Sequence, residues 1–325
     1  MPVPKVSILI PTLNGAQDLA RLLPALDAQK VDGLDVERVA IDSSSTDGTA
    51  DMLRDAGFEV HSIERSEFGH GRTRNELARR STGGYLLYLS QDAIPTAPDF
   101  VARMIAPFAD ERIGGVTARV LPNPDDDALT ARTASSVPEA SDVAETRVWD
   151  DPQRYAEMTG PERTALLRFN NVASCMRRAV HDSVAFPELP FGEDFAWAGR
   201  AMASGWALHH TPDAAVFHAH RYGPREAYER YRVDAVFLRE FHGFAVRPGV
   251  FSVLKGIAYE LREDWRHVRR TGAPFGDLLR APLLRTAQTC GQYVGSRGDG
   301  DAWTDARRRG ALDLLPKDGL STPSS

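Results

Sequence analysis

The sequence predicts an α/β protein with a mostly parallel, doubly wound sheet that carries helices on both faces, followed by a helical C-terminal extension. Short β-rich runs alternate with helical periodicity over the first 120 residues, which is typical of successive strand–helix–strand units. Polar segments follow the apolar runs, at the place where a doubly wound sheet holds its ligands. From Tyr222 to residue 295 the apolar spacing is helical.

Five apolar runs are expected to form strands, because they are short and are bounded by polar turn residues. Apolar residues three and four positions apart indicate the helices between them. Pro24 lies inside the first helix, where we expect a kink because the apolar stripe continues on both sides. The predicted strands are 6–10, 36–41, 59–63, 85–89 and 115–120, and the predicted helices cover 19–26, 50–56, 73–80 and 100–108.

Composition places the chain among globular proteins. It has 325 residues, of which 42% are hydrophobic and 26% charged, so it is able to bury a core. Cys175 and Cys290 lie far apart without a metal-binding or redox spacing, which excludes a disulfide scaffold and fits a reducing compartment. Because no run is long enough to cross a bilayer and the N-terminus lacks a secretory apolar region, a cytoplasmic location is expected.

Charge is unevenly distributed along the chain. The formal net charge is −6, which argues against a general nucleic-acid binder. Between Arg247 and Arg309, however, there are 12 Lys and Arg and only 7 Asp and Glu. Two interpretations stay open for this part, namely peripheral contact with an anionic membrane and packing on the rest of the protein or in a dimer. Its apolar stripe is Val253, Leu254, Ile257, Ala258 and Leu261, and the accompanying cations are Lys255, Arg262, Arg266, Arg269 and Arg270.

Two polar segments, PTLNG at 11–15 and DSSSTDGT at 42–49, follow the first two predicted strands. Asp42 ends an apolar strand, so its carboxylate is placed to accept a hydrogen bond from a ribose or a base edge. The alternative is that Asp42, Ser44 and Asp47 only cap the next helix.

The segment FGHGRTRN at 68–75 indicates a phosphate site, because two glycines precede a helix whose first turn carries Arg72 and Asn75. It is not a dinucleotide fingerprint, since Arg74 stands where the third glycine is needed and the segment does not follow the first strand.

Later segments add candidate metal ligands and bases. Asp92 follows the fourth predicted strand and is either a divalent-cation ligand or a turn former. Glu193 and Asp194 open a helix, where a carboxylate serves as a general base or as a cap. His218 and His220 have a spacing compatible with metal ligation.

Taken in order, PTLNG, DSSSTDGT, the Arg/Asn helix start, SQDA, GED and VFH resemble the inverting family 2 glycosyltransferases of GT-A fold, over about residues 4–222. FGHGRTRN, YLLYLSQDAIP and FNNVASCMRR are similar to the bacterial rhamnosyltransferase subgroup, which uses dTDP-L-rhamnose to build cell-surface polysaccharide. The resemblance implies a catalytic domain at 1–222, with a nucleotide-sugar half to about 120 and an acceptor half from about 121. A helical, partly basic extension at 223–295 and a flexible tail at 296–325 would follow.

The resemblance also implies roles for the matched residues. Asp194 matches the catalytic base, and Glu193 is the alternative. The residues expected to contact the nucleotide are Pro11, Thr12, Asn14, Asp42, Arg72, Asn75 and Gln91.

The implied cofactor is a divalent cation, Mg²⁺ or Mn²⁺. Asp92 matches the last aspartate of the family's metal motif, and Ser90 stands where the first aspartate usually does. His218 matches the histidine that contacts the metal or the diphosphate, and His220 is the less favoured of the two.

The implied reaction is inverting transfer of L-rhamnose from dTDP-L-rhamnose to a saccharide or polyprenyl-linked saccharide acceptor. One alternative is a transferase of the same fold that uses a UDP-hexose or GDP-mannose. The other is a non-catalytic relative that binds nucleotides or glycans, although the presence of both Asp92 and Asp194 weighs against it.

Overall fold

The computed structural model describes residues 3–298 and 301–314, and the described part contains one sheet of nine strands. All five strands predicted from the sequence are present, and four further strands complete the sheet. In chain order the strands are β1 (Lys5–Thr12), β2 (Asp35–Asp42), β3 (Glu59–Ser62), β4 (Tyr85–Leu89), β5 (Ile94–Pro95), β6 (Ile113–Leu121), β7 (Glu145–Arg147), β8 (Ala173–Arg177) and β9 (Ala207–Phe217).

The sheet has a parallel half and a mixed half. Its strand order is β3-β2-β1-β4-β8-β6-β9-β5, with β7 paired to β9. The first four strands of this order are parallel, because each chain crossover between them passes through a helix. β8 is antiparallel to both β4 and β6, and β9 is parallel to β6. The carboxyl ends of β1, β2, β4, β6 and β9 therefore share one edge of the sheet.

Thirteen α-helices lie in the described part of the chain. α1 continues through Pro24 without a break. In chain order the helices are α1 (Ala16–Asp27), α2 (Thr49–Asp55), α3 (His70–Arg80), α4 (Phe100–Ile105), α5 (Ala128–Ser135), α6 (Pro152–Glu157), α7 (Gly160–Leu166), α8 (Arg178–Ser183), α9 (Glu193–Ala203), α10 (Pro224–His242), α11 (Val250–Thr271), α12 (Ala281–Gly295) and α13 (Asp301–Arg308). Short 3-10 helices cover Arg65–Glu67, Ala106–Ala109, Pro138–Ala140 and Phe275–Arg280.

The sheet is buried on both faces. Ile8 and Ile10 of β1 pack with Leu22 of α1 on one face, whereas Leu9 packs in the cluster that contains Leu77 of α3 on the other. These five side chains are at most 1% exposed, and burial of each contributes about 1.5–3 kcal/mol. Because helices cover both faces, the edge at the carboxyl ends of the strands is the place left for a ligand.

A buried charged cluster fastens the C-terminal helices to α5. Asp264 of α11 accepts two hydrogen bonds from Arg285 of α12, at 2.8 and 2.7 Å. Arg132 of α5 donates to the same carboxylate at 2.6 Å and also pairs with Glu260. Loss of one partner from such a cluster costs about 3–5 kcal/mol, because it leaves a buried charge uncompensated. One side of α11 is therefore packed on the protein.

The expectation of a flexible tail from residue 296 is wrong for residues 301–314. α13 forms there, and its Trp303 is only 3% exposed and lies 6.0 Å from Phe237 between ring centroids. Ala306 and Ala311 are buried in the same apolar cluster, so the indole and these smaller side chains together hold the segment on the protein. Residues 299–300 and 315–325 of the predicted tail lie outside the described residues.

None of the described helices has both the length and the apolar character needed to cross a membrane.

Candidate active site

Hydrogen bonds join the segments that follow β1 and β2, at the carboxyl ends of these strands. Thr12 and Asp42 pair in register at the ends of these strands and are each 3% exposed. Thr12 Oγ1 donates to Asp42 Oδ1 at 3.3 Å, and Asp42 Oδ2 accepts from Ser45 N at 2.9 Å. Pro11 directly precedes Thr12 at the end of β1. Asp42 therefore supports its own loop and does not cap α2, whose N-cap is Gly48.

Asn14 and Asp47 join the two loops into one surface. Asn14 has a φ of 45°, a left-handed conformation that asparagine adopts more readily than most residues. Its backbone N–H donates to Ser45 Oγ at 2.7 Å. Asp47 accepts from Ala16 N and Thr49 N, both at 3.1 Å, and so connects the starts of α1 and α2.

Gln91 connects the loop after β4 to the loop after β1. Its Oε1 accepts from Leu13 N at 3.0 Å, and its Nε2 donates to Asp18 at 3.1 Å. A Cβ on Gly15 would lie 2.6 Å from Gln91 Cδ, so a larger residue there would force the Gln91 side chain to move. The sequence predicts Gln91 as a nucleotide contact, but its amide is used within the protein. Gln91 is therefore a positioning residue for the loop that ends β1.

Asp92, His218 and His220 meet at the same edge, because β4 and β9 run in the same direction and β5 pairs with the end of β9. His218 Nε2 lies 3.4 Å from Asp92 Oδ2, and His220 Nε2 lies 3.6 Å from the same oxygen. All three ligand atoms lie within 4.8 Å of one another. His220, which the sequence ranks below His218, is thus a full member of this cluster.

The charge states of the cluster suit a cation. Burial raises the pKa of Asp92, but the hydrogen bond and charge of His218 and the charge of His220 outweigh burial and hold this pKa below the ordinary 3.8. Burial, followed by the neighbouring His218, lowers the pKa of His220. An ionised carboxylate and a neutral imidazole are the forms that bind a divalent cation.

The two residues of α3 that the sequence predicts as phosphate ligands differ in placement. Arg72 is exposed in the first turn of the helix. Asn75 Nδ2 instead donates to Phe186 O at 2.9 Å, while its Oδ1 accepts from Phe186 N at 3.0 Å and lies 3.0 Å from His181 Nε2. Both polar atoms of the Asn75 side chain therefore form hydrogen bonds that hold α3 against the segment before α9. In this structure they do not face a diphosphate site.

Glu193 is held in a buried ion pair. Arg74 Nη1 donates to Glu193 Oε1 at 2.6 Å, and the two side chains are 8% and 6% exposed. Asn171 Nδ2 lies 3.4 Å from the same oxygen. The Glu193 carboxylate is therefore already engaged by two side chains of the protein. This arrangement disfavours Glu193 as the base.

Asp194, the next residue, lines a cavity of about 550 Å³. Burial, followed by the neighbouring Glu193 carboxylate, raises the pKa of Asp194 from 3.8 to about 7. A general base is most effective when its pKa lies near the working pH. Gly192 sets the start of α9, since it has a φ of 75° and a Cβ there would lie 2.2 Å from the ring of Phe237 on α10.

α10 supplies a wall of this cavity that the sequence-based site missed. Arg230 Nε lies 3.3 Å from Asp234 Oδ2, and the guanidinium of Arg230 lies 4.9 Å from the ring centroid of Phe191. All three residues line the cavity together with Asp194 and Tyr222. In the sequence, Arg230 and Asp234 form a charged pair four residues apart on a predicted helix. That helix was interpreted only as an extension, so its side chains were not considered for the site.

Comparison with known proteins identifies the family. Residues 7–175, more than half of the chain, match the family model described as Glycosyl transferase family 2. The chain belongs to glycosyl transferase family 2. The family predicted from the sequence is thereby confirmed.

Curated relatives of this family 2 glycosyltransferase include two O-antigen chain rhamnosyltransferases. RfbN of Salmonella typhimurium is 26% identical over 236 residues, which cover 72% of this chain and 72% of RfbN. WbaN of Salmonella anatum is 28% identical over 246 residues, which again cover 72% of each chain.

Two solved structures share the fold. The mannosyltransferase PcManGT of Pyrobaculum calidifontis, in complex with GDP-Man and Mn²⁺, superposes with a TM-score of 0.51 at 20% identity and covers 96% of this chain and 81% of that chain. Residues 1–349 of S. aureus TarS, in complex with UDP-GlcNAc, superpose with a TM-score of 0.51 at 17% identity and cover 94% and 92% of the two chains. The predicted GT-A fold is confirmed.

Proposed function

We propose that this glycosyltransferase is inverting and transfers L-rhamnose from dTDP-L-rhamnose to a saccharide or polyprenyl-linked saccharide during cell-surface polysaccharide synthesis. The observation that carries the proposal is the cavity lined by Asp194, His218 and His220, because Asp92, which follows β4, lies at the same two histidines. Similarity to two O-antigen chain rhamnosyltransferases supports rhamnose as the sugar. The reaction would take place in the cytoplasm, at the inner face of the cell membrane.

The donor would lie across the carboxyl ends of the parallel strands. We assign its nucleoside to the joined loops after β1 and β2, which carry Pro11, Thr12, Asn14 and Asp42. The first turn of α3 would face the diphosphate, because helix N-terminal amides and the Arg72 guanidinium both attract anions.

The Asp92–His218–His220 cluster fits a divalent cation, Mg²⁺ or Mn²⁺. One carboxylate with two imidazoles favours Mn²⁺, since Mg²⁺ prefers oxygen ligands and imidazole suits softer metals. A cation held there would offset the negative charge that develops on the departing diphosphate.

Asp194 would accept the proton of the acceptor hydroxyl while that oxygen bonds to the anomeric carbon. The bond from the anomeric carbon to the diphosphate breaks in the same step, and its electron pair leaves with the nucleotide. Because the displacement is single, a β-L-rhamnosyl donor yields an α-L-rhamnoside.

Release of nucleoside diphosphate from dTDP-L-rhamnose, UDP-glucose and GDP-mannose, each with saccharide acceptors, tests the proposal. We expect acceptor-dependent release from dTDP-L-rhamnose alone. Turnover of only one of the other two donors would replace the donor and keep the transferase. Tight nucleotide binding without release from any donor would instead indicate a non-catalytic binding protein.

A further inference from the structure

α11 exposes apolar side chains along the side that faces away from the protein. Asp264 and Val268 on its inner side are 1% exposed, whereas Phe251 is 81%, Leu254 58% and Trp265 47% exposed. At 100° per residue the last three fall within one sixth of the helix circumference. An exposed apolar row that includes two aromatic rings is typical of an interaction surface.

This exposed row differs from the stripe that the sequence predicts. Val253, Ile257 and Leu261 are half-buried, and Leu261 packs against the cluster of buried residues around Leu284. Leu254 and Ala258 are exposed. The predicted stripe is therefore divided between an inner side that packs on the protein and an outer side that does not.

A row of cations runs beside the exposed apolar row. The guanidinium of Arg269 lies 4.7 Å from the ring centroid of Trp265, so the two rows touch. Glu263 pairs with Arg266 at 2.7 Å, and it lies 3.5 Å from a second cation, Arg262. The exposed cations of α11 are Lys255, Arg262, Arg266, Arg269 and Arg270.

We propose that this face of α11 docks on an anionic lipid surface. Phe251, Leu254 and Trp265 would enter the boundary between headgroups and acyl chains, where aromatic and aliphatic side chains of interfacial helices lie. The row of cations would lie against the lipid phosphates. Charge disfavours an antiparallel contact with a second copy of the chain, because the two-fold axis would then set one row of cations against the other.

Vesicle co-flotation of the full chain tests the docking. We expect binding to vesicles of phosphatidylcholine with phosphatidylglycerol, no binding to phosphatidylcholine alone, and weaker binding as salt is raised. Neutralisation of three cations, K255Q/R269Q/R270Q, should weaken binding roughly 100-fold, since each cation at an anionic surface contributes about a fivefold factor. F251A/W265A should also weaken binding, although the net charge is unchanged.

The matched control is R54Q/R79Q/R103Q on α2, α3 and α4. These side chains are 51%, 65% and 44% exposed, and the variant removes the same charge without touching α11. It should bind vesicles as the unmodified protein does. Melting temperatures of all variants should agree within a few degrees, because every substituted side chain is on the surface.

Three results would overturn the proposal. The first is equal binding to neutral and anionic vesicles, and the second is an equal effect of the two triple variants. The third is a change of molar mass in light scattering caused by F251A/W265A without any vesicle binding by the unmodified protein, which would make the face a contact between copies. Failure of lipid docking would leave the proposed transfer of a sugar from the nucleotide donor intact and would remove only its placement at the membrane.

Discussion

Replacement of Asp194 by asparagine should separate proton transfer from donor binding. The amide keeps the size of the carboxylate and its contact with Phe195 N, which is 2.9 Å in the protein, but it does not accept a proton at neutral pH. Turnover should fall roughly 10²- to 10⁴-fold, the usual contribution of a positioned general base. Donor affinity should change little, because the loops after β1 and β2 are unaltered.

The same substitution should make the protein more stable at alkaline pH. The pKa of Asp194 in the folded protein, about 7, lies above its value in the unfolded chain, so ionisation between pH 4 and pH 7 favours unfolding. Above pH 7 this cost is at most about 4 kcal/mol, and solvent at the mouth of the cavity reduces it to roughly 1–3 kcal/mol. Asparagine does not ionise and avoids the cost.

Turnover, dTDP affinity and urea unfolding should be measured on one Asp194→Asn preparation at pH 5 and pH 8. The gain in unfolding free energy should be larger at pH 8. In the unmodified protein, turnover should rise with pH through about 7, because the base must be ionised. The matched control is Asp234→Asn, which makes the same change in the same cavity at a carboxylate paired with Arg230, and which should keep that rise.

Near-normal turnover in Asp194→Asn would refute the assignment. Combined with a stability loss of about 1 kcal/mol at both pH values, it would reduce Asp194 to a residue that supports the start of α9. Glu193 would then be the next base to test.

Three further substitutions test the surrounding site. Asp92→Asn should lower Mn²⁺ affinity of the donor-free protein by more than roughly 100-fold, beyond the effect of losing an outer partner; unchanged calorimetric binding would move the cation elsewhere. Glu193→Gln should lower the free energy of unfolding by about 3–5 kcal/mol, since it leaves Arg74 buried without a countercharge, and an unaltered urea midpoint would contradict the ion pair. Gly15→Ala should weaken dTDP binding roughly tenfold, because the new methyl displaces Gln91 from its bond to the loop, at about 1 kcal/mol per hydrogen bond lost; equal dTDP affinity would exclude that coupling.

The strands could be predicted because parallel strands buried on both faces appear as short apolar runs, of which Val6–Ile10 and Tyr85–Leu89 are examples. The position of β8 between β4 and β6 could not. Nothing local in Ala173–Arg177 specifies an antiparallel partner some 90 residues earlier, because strand pairing depends on the whole sheet.

The cation cluster could be predicted because Asp92 and the two histidines each follow an apolar run in the sequence. The carboxyl ends of parallel strands meet at one edge of the sheet, which brings these residues together. The protein contacts of Asn75 and Gln91 could not be predicted, because a side-chain amide in a motif looks the same whether it faces a ligand or the backbone. The partner of Asn75, Phe186, is 111 residues away. Trp303 escaped notice because a single indole hardly changes the composition of a polar segment.

The contact of Phe237 with Gly192 affects how such an enzyme can change over evolutionary time. The proposed base is oriented by a helix outside the donor motifs, so substitutions in α10 can alter which acceptors are used while nucleotide recognition is inherited intact. Exchange of only the first 222 residues between related enzymes would separate Asp194 from the surface that aims it. On this proposal the heritable unit of acceptor choice includes the C-terminal helices, and hybrids joined after α13, whose Trp303 packs near Phe237, should inherit it whole.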